Sequence, residues 1–172
     1  ELQTPAAEPG SWNLALNGKI SDVISQTEFE AGLVCPNSGH LKQWKDADGN
    51  VWSGIPLWLL AGWVDDRKPH SYDYNQAVIG YKVLVKAGDG YSVDFASAEI
   101  NKSSDYIIAN KFNGVPLTDS GPLRLVGTGV AKDDGSLSGK SVGNIVEIEL
   151  TSFATGGGGI IPELRIVKYA ED

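Results

Sequence analysis

Hydrophobic and polar residues alternate in several short runs of this chain, with the period of two that is typical of β-strands with one buried face. The first run is 11–17, where polar or small residues separate Trp12, Leu14 and Leu16. The other strand-like runs are 29–34, 77–86, 91–96, 106–111, 123–126, 142–150 and 164–169. We therefore expect a domain in which strands dominate.

One segment, 55–63, has the period of a helix instead. The apolar residues here recur at i, i+3, i+4 and i+7 and share one face, namely Leu57, Leu60, Ala61 and Val64. Pro56 suits the first helical position, because its missing N–H would have no intrahelical partner there. A shorter helical turn is expected at 97–104, with Ser97 as its cap.

Turn-forming residues divide these elements. Asp, Gly and Asn in 45–50 predict a hairpin or an ordered loop between Trp44 and Trp52. A second hairpin turn is expected at 88–90, where glycine can adopt a positive φ. Together the elements predict an α+β domain over 11–155, with mixed β-sheets and few helices. We expect 1–10 to be a linker, and 156–172 to be a glycine-rich loop and a terminal strand on the way to a further domain.

Length and charge narrow the classes of partner. The 172-residue chain is long enough for one domain with a substantial core. Its formal net charge of -8 disfavours contact with the phosphates of nucleic acids or of an anionic membrane. The longest apolar run, 55–64, is shorter than the roughly 18 residues of a membrane helix. We therefore expect no nucleic-acid partner, no membrane insertion of this domain, and flanking domains of a longer chain.

Several short motifs follow one another along the chain. They are Trp52-Ser-Gly-Ile-Pro-Leu57, Asp89-Gly90-Tyr91, Asn113-Gly-Val-Pro-Leu117, Gly121-Pro-Leu-Arg-Leu-Val126 and Gly139-Lys-Ser-Val-Gly-Asn-Ile145. In this order and spacing they resemble the oxidoreductase molybdopterin-binding domain, the fold of sulfite oxidase and its bacterial relatives, in a short single-domain variant. The resemblance covers roughly residues 11–150, and it implies the sulfite-oxidase-type fold.

The resemblance also implies a site for the molybdenum cofactor. In the family a cysteine thiolate binds the metal, and Cys35 lies before Trp52, close to the position where that ligand is expected. A thiolate is a soft ligand that suits such a metal centre. The implied pterin contacts are His40, Lys140 and Ser141, with Asp89 or Tyr91 lining the pocket. The reaction would be oxygen-atom transfer at molybdenum, for which the protein supplies positioning and electrostatics.

Other features favour a domain of the same fold without the cofactor. Cys35 is the only cysteine, which excludes an internal disulfide, and a lone cysteine among apolar residues is typically a buried small side chain. A pterin phosphate favours pairs of arginines, which bind phosphate through two parallel hydrogen bonds. This chain has only Arg67, Arg124 and Arg165, and they are far apart in the sequence.

Three further patterns suggest chemistry that their details do not support. The segment 135–141 resembles a phosphate-binding loop, but it is one residue short and precedes a predicted strand instead of a helix. The segment 46–50 resembles the start of a calcium loop, but its glycine is at the wrong position, so a turn is favoured and a weak calcium contact stays open. His40 and His70 are too few for a zinc site, beyond an adventitious one with Cys35 and a neighbouring aspartate.

Two functions are therefore carried forward. The first is a cofactor-free module used for binding or architecture in a larger extracytoplasmic protein, in the periplasm or at the cell surface. The second is a molybdopterin-dependent redox domain with Cys35 as the metal ligand. The fold does not decide between them, because one fold hosts many functions. The scarcity of arginine favours the first, and whether the chain is an enzyme is left open.

Overall fold

The structure is a computed structural model that describes residues 12–33, 40–67, 72–118 and 121–154. Several sequence predictions fall outside the described residues: the linker at 1–10, the segment 156–172 with its expected strand at 164–169, and the side chains of Cys35 and His70. The domain limits at 11–155 accordingly stay predictions.

The first of the two sheets formed by the described residues has the strand order β2-β1-β10-β5-β6. Its strands are β1 (Asn13–Asn17), β2 (Ser21–Ser25), β5 (Lys82–Ala87), β6 (Ser92–Ala96) and β10 (Ile145–Thr151). Strands β1 and β10 are parallel, whereas the other neighbours are antiparallel. The sheet is therefore mixed, as the sequence predicts.

The second sheet is antiparallel. Its strands are β3 (Lys42–Lys45), β4 (Val51–Pro56), β7 (Ile107–Phe112) and β8 (Val115–Pro116), in that order, with β9 (Arg124–Val126) paired to β7. Its central pair is β4 with β7, two strands distant in the sequence. Strands β3 and β4 confirm the hairpin expected around 45–50, and Trp44 stands directly opposite Trp52.

The helices of the described residues are short. They are α1 (Gln26–Leu33), α2 (Leu57–Gly62), α3 (Tyr74–Ile79) and α4 (Ser97–Ile100). Helix α2 confirms the prediction for 55–63, although Ile55 and Pro56 complete β4 and Pro56 is the N-cap instead of the first helical residue. The predicted apolar face is fully buried. Among the described helices, none has the length and apolar character needed to cross a membrane.

The strand predicted at 29–34 is wrong, because a capping box starts helix α1 there. Ser25 Oγ accepts a hydrogen bond from the backbone N–H of Glu28 (3.1 Å), and Glu28 Oε1 accepts one from the backbone N–H of Ser25 (3.0 Å). This reciprocal pair satisfies donors that the first turn of a helix would leave free. Phe29 then faces the core from a helix and not from a strand.

The strand predicted at 77–86 starts too early. Its first residues belong to α3, whose N-cap Asp73 accepts a hydrogen bond from the backbone N–H of Gln76 (3.0 Å). Gly80 ends the helix with a φ of 124°, which strongly favours glycine, and β5 begins only at Lys82. Side-chain capping again outweighs the apolar pattern.

The sequence predicts Ser97 as the cap of α4. In the structure Ser97 is instead the first helical residue of α4. The buried hydroxyl donates to the carbonyl oxygen of Ala77 (2.7 Å) and accepts from the backbone N–H of Tyr81 (2.9 Å). Ser97 therefore connects α4 to α3 and to the residue before β5, instead of satisfying the first turn of its own helix.

The core lies between the elements of both sheets and includes residues from all four helices. Leu14, Val85 and Ile148 contribute to it from the first sheet, and Ile55 and Ile108 from the second. Residues that alternate with Ile108 along β7 belong instead to a smaller apolar cluster, together with Trp52 and Val126. The second sheet is thus covered by apolar residues on both faces.

Candidate functional site

Most of the residues that the resemblance assigns to the cofactor lie together where the β5–β6 turn meets the loop before β10. We call this group, Asp89, Tyr91, Gly139, Lys140 and Ser141, the turn cluster. Asp89 Oδ1 accepts a hydrogen bond from the backbone N–H of Tyr91 (2.9 Å), and the Tyr91 hydroxyl donates to the carbonyl oxygen of Gly139 (2.9 Å). Both side chains therefore make bonds that hold the turn and the loop in place.

Ser141 in the turn cluster is buried, with 4% of its surface exposed. Its hydroxyl donates to the carbonyl oxygen of Leu125 and accepts from the Nε–H of Arg124 (3.2 Å). Arg124 is half-buried, and burial lowers the pKa of its guanidinium. Lys140, by contrast, is exposed. Ser141 therefore connects the loop before β10 to strand β9.

His40 lies elsewhere, at the end of helix α1. Its Nδ1 is 3.0 Å from the carbonyl oxygen of Gly32. Because a carbonyl can only accept, Nδ1 carries the hydrogen, and Nε2 of the neutral ring is then an acceptor. None of the hydrogen bonds between described residues joins His40 to the turn cluster. Cys35 is outside the described residues, and its role as metal ligand stays a prediction.

A cavity of about 360 Å³ lies beside His40, between α1 and α2. We call it the α1–α2 cavity. Its walls are largely apolar and include Ala31, Leu59, Leu60, Trp63 and Tyr72, whereas the polar lining includes Glu28 and His40. This volume and this mixture of many apolar and few polar groups are typical of sites for small molecules.

Two aromatic residues of the cavity are held at their polar ends. Trp63 donates its indole N–H to Oδ2 of Asp22 (2.8 Å), and the Tyr72 hydroxyl donates to Oδ1 of Asn101. The Tyr72 ring also packs edge-to-face on Trp58, with 4.8 Å between ring centroids. Because these polar atoms are already hydrogen-bonded, the rings of Trp63 and Tyr72 offer mainly apolar surface to the cavity.

Of the described residues that line this cavity, His40 alone is among the site residues that the sequence predicts. The Ser-x-x-Glu spacing of Ser25 and Glu28 is a signal that would have located α1. The cavity itself depends on how α1 packs against β4 and α2, since Gly32 faces Ile55 across that contact. Periodicity along one segment carries no information about such packing.

A buried carboxyl group lies just after α2. Asp65 has no exposed surface; its Oδ2 accepts a hydrogen bond from the backbone N–H of Asp73 (2.7 Å), and its Oδ1 has no partner among the described residues. Burial raises the pKa of Asp65 to about 7, aided by the nearby charges of Asp66 and Asp73 and opposed by that hydrogen bond. Burial, and then the charge of Asp65, also raise the pKa of Tyr81.

The described residues contain no group of three or more His, Cys, Asp or Glu side chains placed to hold a metal ion. The calcium-like segment 46–50 is a turn. Asp46 Oδ1 accepts from the backbone N–H groups of Asp48 and Asn50 (2.9 Å each), and Oδ2 accepts from the indole N–H of Trp52 (3.0 Å). Burial tends to raise the pKa of Asp46, but these bonds outweigh it and lower the pKa overall.

The donor set of the described residues does not fit the molybdenum cofactor. A pterin and its phosphate need several polar contacts and converging cations. The α1–α2 cavity beside His40 is apolar and carries the Glu28 carboxylate, which repels phosphate. In the turn cluster, the hydroxyls of Tyr91 and Ser141 already bond to backbone carbonyls, and Arg124 bonds to Ser141.

Comparison with known proteins gives information about the fold. No protein-family profile matches the chain, and a search of curated proteins finds no match. Among solved structures, the crystal structure of the sulfane dehydrogenase SoxCD from Paracoccus pantotrophus is similar with a TM-score of 0.51 and 17% sequence identity. The similarity covers 84% of this chain and 39% of that chain. At this identity the likeness concerns the fold alone: the chain has a mixed α+β fold like that of SoxCD.

Proposed function

We propose that this chain is a binding module with the sulfite-oxidase-type fold that works without the molybdenum cofactor. The observation that carries the proposal is the internal bonding of the turn cluster. Tyr91 bonds to Gly139, and Ser141 bonds to both Arg124 and Leu125, so these motif residues serve the scaffold. Ser141 is buried, and redirecting its hydroxyl towards a ligand is costly because each broken bond leaves a buried partner unpaired.

The proposal includes a setting in a larger extracytoplasmic protein, in the periplasm or at the cell surface. The likeness to SoxCD supports the proposal of a larger protein, because the similar region makes up only 39% of the SoxCD chain. In that chain the fold is one portion of a longer polypeptide. The net charge of -8 supports a module that contacts neither nucleic acid nor an anionic membrane leaflet. Flanking domains of the same chain are the partners that we propose.

The alternative function is a molybdopterin-dependent redox domain with Cys35 as the metal ligand. The likeness to a sulfane dehydrogenase favours this alternative, because it is a likeness to an oxidoreductase. The donor set around His40 and the turn cluster weighs against it, for the reasons given above.

Elemental analysis distinguishes the two functions. The chain is produced in a host that makes the molybdenum cofactor, alongside a known molybdoenzyme as a positive control, and molybdenum and released pterin are measured per chain. We expect neither in the folded chain, while the control is loaded. Near-stoichiometric molybdenum that disappears in Cys35→Ser would overturn the proposal and establish the redox alternative.

A further inference from the structure

Among the described residues that line the α1–α2 cavity, Glu28 and His40 offer hydrogen-bond acceptors. The Glu28 carboxylate has no hydrogen to donate, and its Oε1 already accepts from Ser25. His40 donates through Nδ1 to Gly32, which leaves Nε2 of the neutral ring as an acceptor. A ligand that satisfies this lining must therefore bring its own donor, an N–H or an O–H group.

The walls and the charge restrict the ligand further. The rings of Trp63 and Tyr72 are held by hydrogen bonds at their polar ends, so they present fixed apolar surfaces. Aromatic ligands gain from offset or edge-to-face contacts with such rings beyond the area that they bury. The Glu28 carboxylate and the net charge of -8 both disfavour an anion.

We infer that the α1–α2 cavity binds a small aromatic molecule, neutral or cationic, whose N–H or O–H group donates to His40. The inference rests on the proposed function, because it supplies the class of ligand for a binding module. The described residues that line the cavity include none of the turn cluster.

Indole is the probe for this site, because it is flat, apolar and uncharged and carries one N–H donor. Titration of the ¹⁵N-labelled chain followed by amide chemical shifts should give a saturable Kd of about 0.1–1 mM, the range for a fragment of this size. The shifts should concentrate in α1 and α2. Benzofuran has the same shape without the donor and should bind about 5–10-fold more weakly. Indole-3-carboxylate, an anion, should bind more weakly still.

Two cavity variants and one control test the residues. Replacing His40 with alanine (H40A) should weaken indole about 5–10-fold and remove its advantage over benzofuran, since the donor then has no acceptor. Ala31→Phe should fill the cavity from the exposed face of α1 and abolish binding of both probes. Val78→Ala, an exposed apolar position on α3, is the matched control and should bind indole as the wild type does. Circular dichroism confirms the folding of each variant.

The outcomes separate this inference from the proposed function. Saturable indole binding that H40A weakens and Ala31→Phe abolishes supports the inference. An absence of saturable shifts, or equal binding of indole and benzofuran to wild type and H40A, overturns it. A molybdenum-free chain that does not bind indole keeps the proposed function and overturns only the ligand class. Stoichiometric molybdenum overturns the proposed function whatever indole does.

Discussion

The turn cluster and the α1–α2 cavity use their polar groups in opposite ways. In the turn cluster, Tyr91 and Ser141 bond to carbonyls of neighbouring loops and strands, so their polar atoms hold the fold together. In the cavity, the hydrogen bond to Gly32 holds His40 in place and leaves Nε2 of the neutral ring as an acceptor. The hydroxyls of Tyr91 and Ser141 are therefore bonded within the fold, whereas His40 is the one predicted site residue among the described residues that line the cavity.

The largest effect is expected at a motif glycine. A Cβ at Gly54 would lie 1.9 Å from the carbonyl oxygen of Ile108 and 2.6 Å from Cα of Ala109, both backbone atoms of β7. Because neither can move without disturbing the β4–β7 pairing, Gly54→Ala should lower the free energy of unfolding by at least about 3 kcal/mol in urea denaturation. Gly139→Ala is the control, with no atom within 4 Å of the added Cβ, and should change it by less than about 0.5 kcal/mol. Similar losses in both variants would contradict this account of the motif glycines.

Asp65 gives the next largest effect, as a dependence of stability on pH. Its pKa rises from 3.8 to about 7 on folding, so the folded state retains the proton longer than the unfolded state. The resulting stabilisation is complete below about pH 4 and is lost as the pH rises through 7. In Asp65→Asn, the fall in the free energy of unfolding between pH 4 and pH 8 should be smaller by about 1–3 kcal/mol.

Thermal denaturation across that pH range measures the effect of Asp65→Asn. Asp133→Asn removes an exposed carboxyl from a loop and is the control. Its free energy of unfolding should fall between pH 4 and pH 8 as much as that of the wild type. A fall that persists unchanged in Asp65→Asn would show that the buried carboxyl next to α2 does not retain its proton, and the account of this region would be wrong.

Ser141 tests the structural role of the turn cluster directly. Ser141→Ala leaves the Nε–H of Arg124 and the carbonyl oxygen of Leu125 without this partner, and the variant should be about 1–3 kcal/mol less stable in urea. Its affinity for indole should equal that of the wild type. Ser92→Ala, at an exposed position of β6, is the control and should lower the free energy of unfolding by less than about 0.5 kcal/mol. Loss of indole binding in Ser141→Ala would show that the two regions are not separate.

The smallest effect is expected at Tyr91. Its hydroxyl bonds to Gly139, but 51% of the residue surface is exposed, so water replaces the lost bond. Tyr91→Phe should lower the free energy of unfolding by less than about 1 kcal/mol, measured by urea denaturation. Lys140→Ala, which removes an exposed side chain of the same cluster, should have no measurable effect. A loss of several kcal/mol in either variant would mean that the cluster does more than connect its loops.

The strands were predictable because alternation reports a half-buried sheet directly. The alternating runs at 11–17 and 91–96 correspond to β1 and β6, and the turn residues of 45–50 located the hairpin of β3 and β4. The run at 106–111 corresponds to β7, which is buried on both faces and was found from its apolar residues instead. Helix α2 followed from its apolar face. The sequence motifs also anticipated the α+β fold that SoxCD shares. These features depend on local patterns, so one sequence is enough to find them.

The parts of the fold and of the candidate site that were not predicted depend on interactions that the periodicity of the sequence does not report. Helices α1 and α3 start at a capping box and at an Asp73 N-cap, where side-chain hydrogen bonds outweigh an apolar run that also suits a strand. The burial of Asp65 and the cavity beside His40 arise from packing between segments distant in sequence. The motif residues Tyr91 and Ser141 were placed together by the resemblance, but their bonding partners were not predictable from it.

Native mass spectrometry of the chain purified from a host that makes the molybdenum cofactor tests the central claim most directly. The account predicts a single folded species with the mass of the polypeptide alone, which gains the mass of one indole when indole is added and does not gain it in Ala31→Phe. A stoichiometric species heavier by the mass of the molybdenum cofactor, present in the wild type and lost in Cys35→Ser, would contradict the account.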